Sequence, residues 1–227
     1  MARLNPLVPR VEGTRKQFLG KLIIFCEGKT EYNYFNHFAR IVNGNRDKYS
    51  HIRLEPINTE GNSRHVLNYA ESFFKEGSNS SYYSTYEKYL VFDCDAPEDI
   101  QSVINEMRAA TKTYELLLTN ILFETWLLMH FEVVENRLTK FQTYRKIIDA
   151  LRVEKYKSKE KASEGIIRKA IGNGDNVKFA IQNAKTLEKK YKEENLNIDD
   201  NIVNMNPFTL VHILVDRSRG RSSASLF

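Results

Sequence analysis

The chain has 227 residues, 41% of them hydrophobic and 28% charged, with a formal charge of +5 and an isoelectric point near 9.0. These values describe a globular protein able to bury a sizeable core, as one domain or a domain with an appended subdomain, and they exclude a disordered chain. No apolar stretch reaches the length of a membrane span, and Met1 to Leu22 is basic without the hydrophobic segment of a secretory signal, so a cytoplasmic protein with no membrane partner is expected.

From the N-terminus, residues 1–20 read as a flexible or edge-docked arm, because Pro6 and Pro9 discourage regular structure. Leu22–Cys26 is a short apolar run stopped by Glu27 and Gly28, which suits a strand buried on both faces. Tyr34, Phe35, Phe38 and Ile41 then recur at helical spacing, predicting a helix from Thr30 to about Val42 that ends at Asn43-Gly44-Asn45. His51–Ile57 alternates as a half-buried strand, and Pro56 places it near an edge. A helix opens at Gly61-Asn62-Ser63 and carries Val66, Leu67, Ala70, Phe73 and Phe74; Gly77 to Ser84 reads as a polar loop.

Tyr89–Phe92 is the next apolar run, and it ends on Asp93-Cys94-Asp95. Pro97–Ala109 follows as a helix and Tyr114–Leu118 as a fourth strand. Beyond Asn120 come a strongly apolar helix (Phe123–Phe131) and amphipathic helical stretches at Leu138–Leu151, Ile166–Ile171 and Lys178–Tyr191. Asn206 suits a helix N-cap and Pro207 the first helical position, so a last helix is expected from there, carrying Leu210, Val211, Leu214 and Val215. The Ser/Arg-rich segment 217–227 reads as a disordered tail. Cys26 and Cys94 both lie in apolar runs and are too few for a cysteine-ligated structural zinc; they read as small buried hydrophobes.

Strands alternating with helices imply βαβ units and an α/β fold built on a parallel sheet, with the C-terminal third helical. Ligands of such sheets bind outside the carboxyl ends of the strands, which is where Glu27, Asp93 and Asp95 fall. Hard cations such as Mg²⁺ take carboxylate oxygens, and three crowded carboxylates repel unless a cation lies between them. Structural roles compete with that reading. Asp95 would cap the helix after Ala96-Pro97 with Glu98 completing a capping box, and Glu27 and Glu31 would offset the positive end of the helix after Gly28. Glu124, at the start of the apolar helix, is either a dipole partner or a further acid of the site, and His130 is either a core histidine or a base. Gly28-Lys29-Thr30 is not a nucleotide-binding P-loop, because that motif needs a glycine where this chain has Ile23.

The positive charge is concentrated. Between Arg137 and Lys192 there are 16 Lys and Arg against 6 Asp and Glu, and the preceding residues are net acidic. This region is a solvated helical surface or a phosphate-binding face.

Several of these segments together resemble the RloB family: Glu27-Gly28-x-Thr30-Glu31 with Tyr34-Phe35, Phe92-Asp93-x-Asp95, Asn120 with Phe123-Glu124-x-Trp126-Leu127-Leu128-x-His130-Phe131, and Asn206-Pro207-x-Thr209. One departure is that the family commonly has Ser-Asn-Pro-x-Phe-Glu where this chain reads Thr119 to Glu124 without the proline. The resemblance implies a Toprim-like α/β domain over residues 21–120, a helical C-terminal part over 121–216, and a role in bacterial phage defence, often beside a separately encoded ATPase. It implies that Glu27 acts as general acid/base or metal ligand and that Asp93 and Asp95 hold Mg²⁺ (or Mn²⁺). The function expected on that basis is a Mg²⁺-dependent nuclease acting on DNA or RNA, with Glu27, Asp93, Asp95 and Glu124 at the reaction centre. Lys29, Lys155, Lys157, Lys159, Lys161, Arg168 and Lys169 would contact the nucleic-acid backbone. The alternative is a non-catalytic Toprim-like subunit that binds nucleic acid or the ATPase.

Overall fold

A computed structural model describes residues 20–44, 52–95, 97–109, 114–157, 163–172, 174–196 and 204–220. Five strands form one sheet: β1 (Lys21–Cys26), β2 (Arg53–Asn58), β3 (Glu87–Asp93), β4 (Tyr114–Asn120) and β5 (Phe208–Thr209). Their order is β2-β1-β3-β4-β5; the first four run parallel, and β5 pairs antiparallel with β4 through Thr119 and Asn120. The described helices are α1 (Lys29–Gly44), α2 (Ser63–Lys75), α3 (Gly77–Tyr82), α4 (Pro97–Ala109), α5 (Glu124–Leu128), α6 (Lys140–Leu151), α7 (Glu164–Ile171), α8 (Asp175–Glu193) and α9 (Val211–Gly220). This is the expected α/β architecture.

The centre of the sheet is apolar on both faces because β1 is covered from both sides. Leu22 to Cys26 are all fully buried, as the unbroken apolar run requires. The chain runs from β1 to β2 on one side and then back past β1 to β3 on the other, so right-handed crossovers place α1 and α2 on opposite faces. On the α2 face, Phe25 meets Phe73 and Phe74 edge-on at 5.6 and 5.7 Å. Tyr34 of α1 packs against Phe123 and Trp126 at 5.6 and 6.1 Å, which ties the first helix to the segment after β4. Each such ring removed from water contributes on the order of 2–3 kcal/mol.

Pro56 sits in edge strand β2, where a missing N–H is tolerated. Asn43, expected to end α1, also protects that edge. Its side chain accepts from Leu54 N–H (3.1 Å) and donates to Leu54 C=O (2.8 Å).

Three expectations are corrected. Gly77–Tyr82 is a short helix, not a loop. Asn206-Pro207 does not start a helix: the bond between them is cis, Phe208–Thr209 becomes β5, and α9 begins at Val211. The helical C-terminal part therefore donates a strand to the sheet, which is mixed rather than purely parallel. Helix α9 also continues to Gly220, past the point where the tail was expected; Arg217 pairs with Glu87 (3.3 Å) and donates to the Tyr89 hydroxyl (2.7 Å), and Ser218 is buried.

The apolar segment 123–131 is helical only to Leu128. It then turns, and the Asn183 side chain of α8 donates to the carbonyls of Met129 (2.8 Å) and Glu132 (3.0 Å), satisfying groups that a longer helix would have bonded itself. The Asn120–Ile121 peptide is cis. Among the described residues, no helix is long and apolar enough to cross a membrane.

Candidate functional site

The carboxyl ends of β1, β2 and β3 and the start of α5 surround a cavity of about 320 Å³ lined by Glu27, Gly28, Lys29, Thr30, Glu31, Gly61, Asp93 and Glu124. It opens where the chain diverges from β1 to either side, the position at which open α/β sheets bind ligands. Short backbone links set its frame. Glu27 N–H donates to Val91 C=O (3.0 Å), Gly61 N–H donates to Glu27 C=O (3.2 Å), and Cys94 N–H donates to Thr119 C=O (2.9 Å).

Within that frame the acids are individually fixed. Glu27 Oε2 accepts from the backbone N–H of Asp93 at 3.0 Å, so the end of β3 orients the carboxylate of β1. Glu124 Oε1 accepts from the Thr30 hydroxyl at 3.3 Å, and Tyr156 lies against the same pair. Glu31, in the first turn of α1, folds back over Gly28. A Cβ on that glycine would stand 2.9 Å from Glu31 Oε2, so only glycine admits the arrangement without displacement. Glu31 and Glu124 are 5% and 2% exposed, an unusual degree of burial for acids.

Asp93 bears the consequence. Its Oδ1 is buried with no hydrogen-bond partner among the described residues. Burial first, and then the negative fields of Glu31, Glu124, Glu27 and Asp95, push its carboxyl well above the ordinary carboxylate range. Without a cation this group tends to hold a proton; a cation in the cluster would favour its charged form. Burial and the field of Glu31 likewise push the Cys26 thiol up, so both buried cysteines are inert neutral groups.

Asp95 does not join the cavity. It turns to a neighbouring cavity of about 450 Å³ and accepts from Lys140 Nζ at 2.7 Å. The alternative capping role for Asp95 rests on Ala96 and on the Glu98 side chain, which lie outside the described residues. The expected Glu27, Asp93 and Asp95 cluster is thus replaced by Glu27, Glu31, Asp93 and Glu124. Among the described residues, no three acidic, histidine or cysteine side chains stand as a formed metal site. The donor chemistry nevertheless suits a hard divalent cation: all oxygen, mostly carboxylate, with one buried oxygen unsatisfied.

His130 belongs to the core. Its Nδ1 lies 2.9 Å from Trp126 C=O, which can only accept, so Nδ1 carries the proton and Nε2 accepts from the Tyr34 hydroxyl at 3.3 Å. Burial lowers its pKa to about 4, and it is neutral at physiological pH.

The basic residues divide. Lys29 lines the acidic cavity, 3.7 Å from Glu60. Lys155 and Lys157 are exposed on either side of buried Tyr156, whose side chain lies beside Thr30 and Glu124. Arg168 lies in the charged group of Arg40, His37 and Glu164, and Lys169 donates to the Leu151 carbonyl at the end of α6. Lys159 and Lys161 lie outside the described residues.

Glu31 was read only as a dipole partner, and Thr30 and Tyr156 were not singled out as site residues. Glu31 was detectable as an acid one helical turn beyond a glycine at a strand end. Tyr156 had no such signal, since Thr30 and Glu124, which it meets in the site, are more than thirty positions away in the chain.

Residues 22–217 match the sequence profile of the family described as RloB-like protein, and the chain belongs to that family. No curated protein and no solved structure matches it.

Proposed function

We propose that this RloB-like chain is a Mg²⁺-dependent, Toprim-type nuclease that cleaves phosphodiester bonds, serving as an effector in phage defence. The observation that supports this most is the set of four acids around one sheet-edge cavity, with a buried Asp93 oxygen lacking a partner among the described residues. Glu27, Asp93, Glu31 and Glu124 would hold the cation, which when bound supplies charge stabilisation at the scissile phosphate. The chain's own residues do the rest. Glu27, oriented by the Asp93 N–H, is placed to take a proton from the attacking water. Lys29, which lines the cavity, would offer a cation to a non-bridging phosphate oxygen, and the exposed Lys155 and Lys157 would contact the nucleic-acid backbone. Buried Tyr156 and Thr30 keep Glu124 in place.

A second reading is favoured by one observation. The Asp95 carboxylate is neutralised by Lys140, and no three acids stand ready for a metal among the described residues. On that reading the chain is a non-catalytic subunit that binds nucleic acid or a partner ATPase. Incubating the purified protein, with and without an ATPase encoded beside it, with DNA and RNA in Mg²⁺ or Mn²⁺ separates the two. Cleavage that disappears in Glu27→Gln and Asp93→Asn proteins supports the nuclease. Binding without cleavage under every condition supports the subunit.

A further inference from the structure

The second cavity shares the Asp93-Cys94-Asp95 segment with the acidic one but has a different character. Arg137, Lys140, Asn120 and Asn204 line it, together with Asp95. The Asp95–Lys140 pair cancels one charge, which leaves Arg137, exposed and without an ion-pair partner among the described residues, to set its sign. The loop that carries Arg137 is held rigidly. Asn206, just before β5, accepts from Leu138 N–H (3.3 Å) and donates to Leu138 C=O (2.8 Å), while Thr139 closes a capping box with Gln142 at the start of α6. With the residues that follow Arg137 held in this way, its guanidinium is offered to an anion from an anchored stretch of backbone.

Next to Lys140 in the chain is Phe141, at 73% exposure the most exposed large hydrophobic side chain among the described residues. A lone exposed apolar residue is ordinary. Here it directly follows Lys140, which lines the cavity, at the start of α6, and the exposed Asn204 adds a primary amide to that lining. Cations for phosphate, amides for base edges and an aromatic face for stacking are the combination that single-stranded nucleic acid requires and a duplex, whose bases are already stacked, cannot use.

Resting on the nuclease reading above, we infer that this cavity binds one nucleotide of a single-stranded nucleic acid, with its phosphate on Arg137 and Lys140 and its base on Phe141. The nucleotide held there delivers the neighbouring phosphate across Asp93-Cys94-Asp95 to the acids. The substrate class is therefore single-stranded DNA or RNA, or an unpaired loop within a folded RNA.

Fluorescence anisotropy tests this with the full chain in EDTA, so that no cleavage intervenes, using labelled single-stranded RNA, single-stranded DNA and a duplex of the same sequence. Single strands are expected to bind more tightly than the duplex. Phe141→Ala is expected to weaken single-strand binding about five- to a hundredfold without changing duplex binding, and Phe141→Trp to retain it. Arg137→Glu is expected to weaken both single strands. The stronger of the RNA and DNA arms identifies the sugar. Equal binding of duplex and single strand, or unchanged binding by Phe141→Ala and Arg137→Glu proteins that melt like wild type, overturns the inference. The two readings fail separately: cleavage that ignores Phe141 removes only the subsite, and Phe141-dependent binding without cleavage in any metal removes only the nuclease.

Discussion

Asp93 and Asp95 are two residues apart, at the end of the same strand, and end in opposite environments. Asp93 faces the cavity of Glu27, Glu31 and Glu124, with one buried oxygen unpartnered among the described residues and its charged form disfavoured by burial and by the surrounding acids. Asp95 faces the other cavity, where Lys140 neutralises it. The contrast shows that an Asp-x-Asp spacing does not by itself bring two carboxylates to one ligand. What each acid becomes depends on the segment that covers it, here α1 and α5 for the first and the start of α6 for the second.

The largest expected effect falls on catalysis. Asp93→Asn should reduce cleavage by about 10²–10⁴-fold, the range for losing a group essential to proton transfer or charge stabilisation, while Asp95→Asn should cost about tenfold or less. Equal losses, measured as single-turnover rates, would mean that the two carboxylates act at one site.

His130 supplies a control of opposite sign. Its folded pKa of about 4 lies below the unfolded value of 6.5, so its contribution to stability is present above pH 6.5 and is lost as pH falls towards 4. The loss amounts to about 3 kcal/mol. Urea unfolding should show His130→Gln less stable than wild type at pH 7.5, with the gap closing by pH 4.5; a gap independent of pH would show that the imidazole is not held neutral.

Asp93 runs the other way. Its carboxyl is raised, so its relative stabilisation is complete below the ordinary carboxylate pKa and declines as pH rises through the folded value. In chelator at pH 7, Asp93→Asn should therefore be more stable than wild type by about 1–3 kcal/mol, the scale of one buried unsatisfied polar group. The gain should shrink on acidification, and Mg²⁺ should raise the melting temperature of wild type but not of the variant. A variant less stable than wild type at pH 7 in chelator would mean that the Asp93 carboxylate is well satisfied.

The smallest effect belongs to Lys140. Its pair with Asp95 is half exposed, so Lys140→Ala should cost at most about 1 kcal/mol of stability. Leaving Asp95 unneutralised beside the acids should raise divalent-cation affinity by about fivefold or less in calorimetry. An unchanged affinity would mean that Asp95 is electrostatically remote from the acidic cavity, sharpening the separation of the two.

Much of this was legible in the chain. The apolar runs ending at Glu27 and Asp93 placed both acids at one sheet edge because fully buried parallel strands leave polar residues only at their ends. The helical spacing of Tyr34, Phe35 and Phe38 located α1, and Pro56 marked an edge strand. The failures have a common cause. Asn206-Pro207 satisfied local rules for a helix start, but β4 offered an unpaired edge and the next two residues took it as β5. Glu31 reads locally as a helix-dipole acid, but the fold brings Glu124 and Asp93 beside it; Asp95 reads as a companion of Asp93, but the fold brings Lys140, 45 positions away, to it.

The four parallel strands, the principal helices and the presence of acids at the carboxyl edge were already written in the chain, because burial periodicity and strand-end polarity are local properties. Only the tertiary structure decided which acids share a cavity, which one is neutralised, and that Tyr156 and the loop from Arg137 to Lys140 border the site. Those outcomes depend on electrostatic and packing partners distant in sequence, and the field at a carboxylate is set by what lies near it in space.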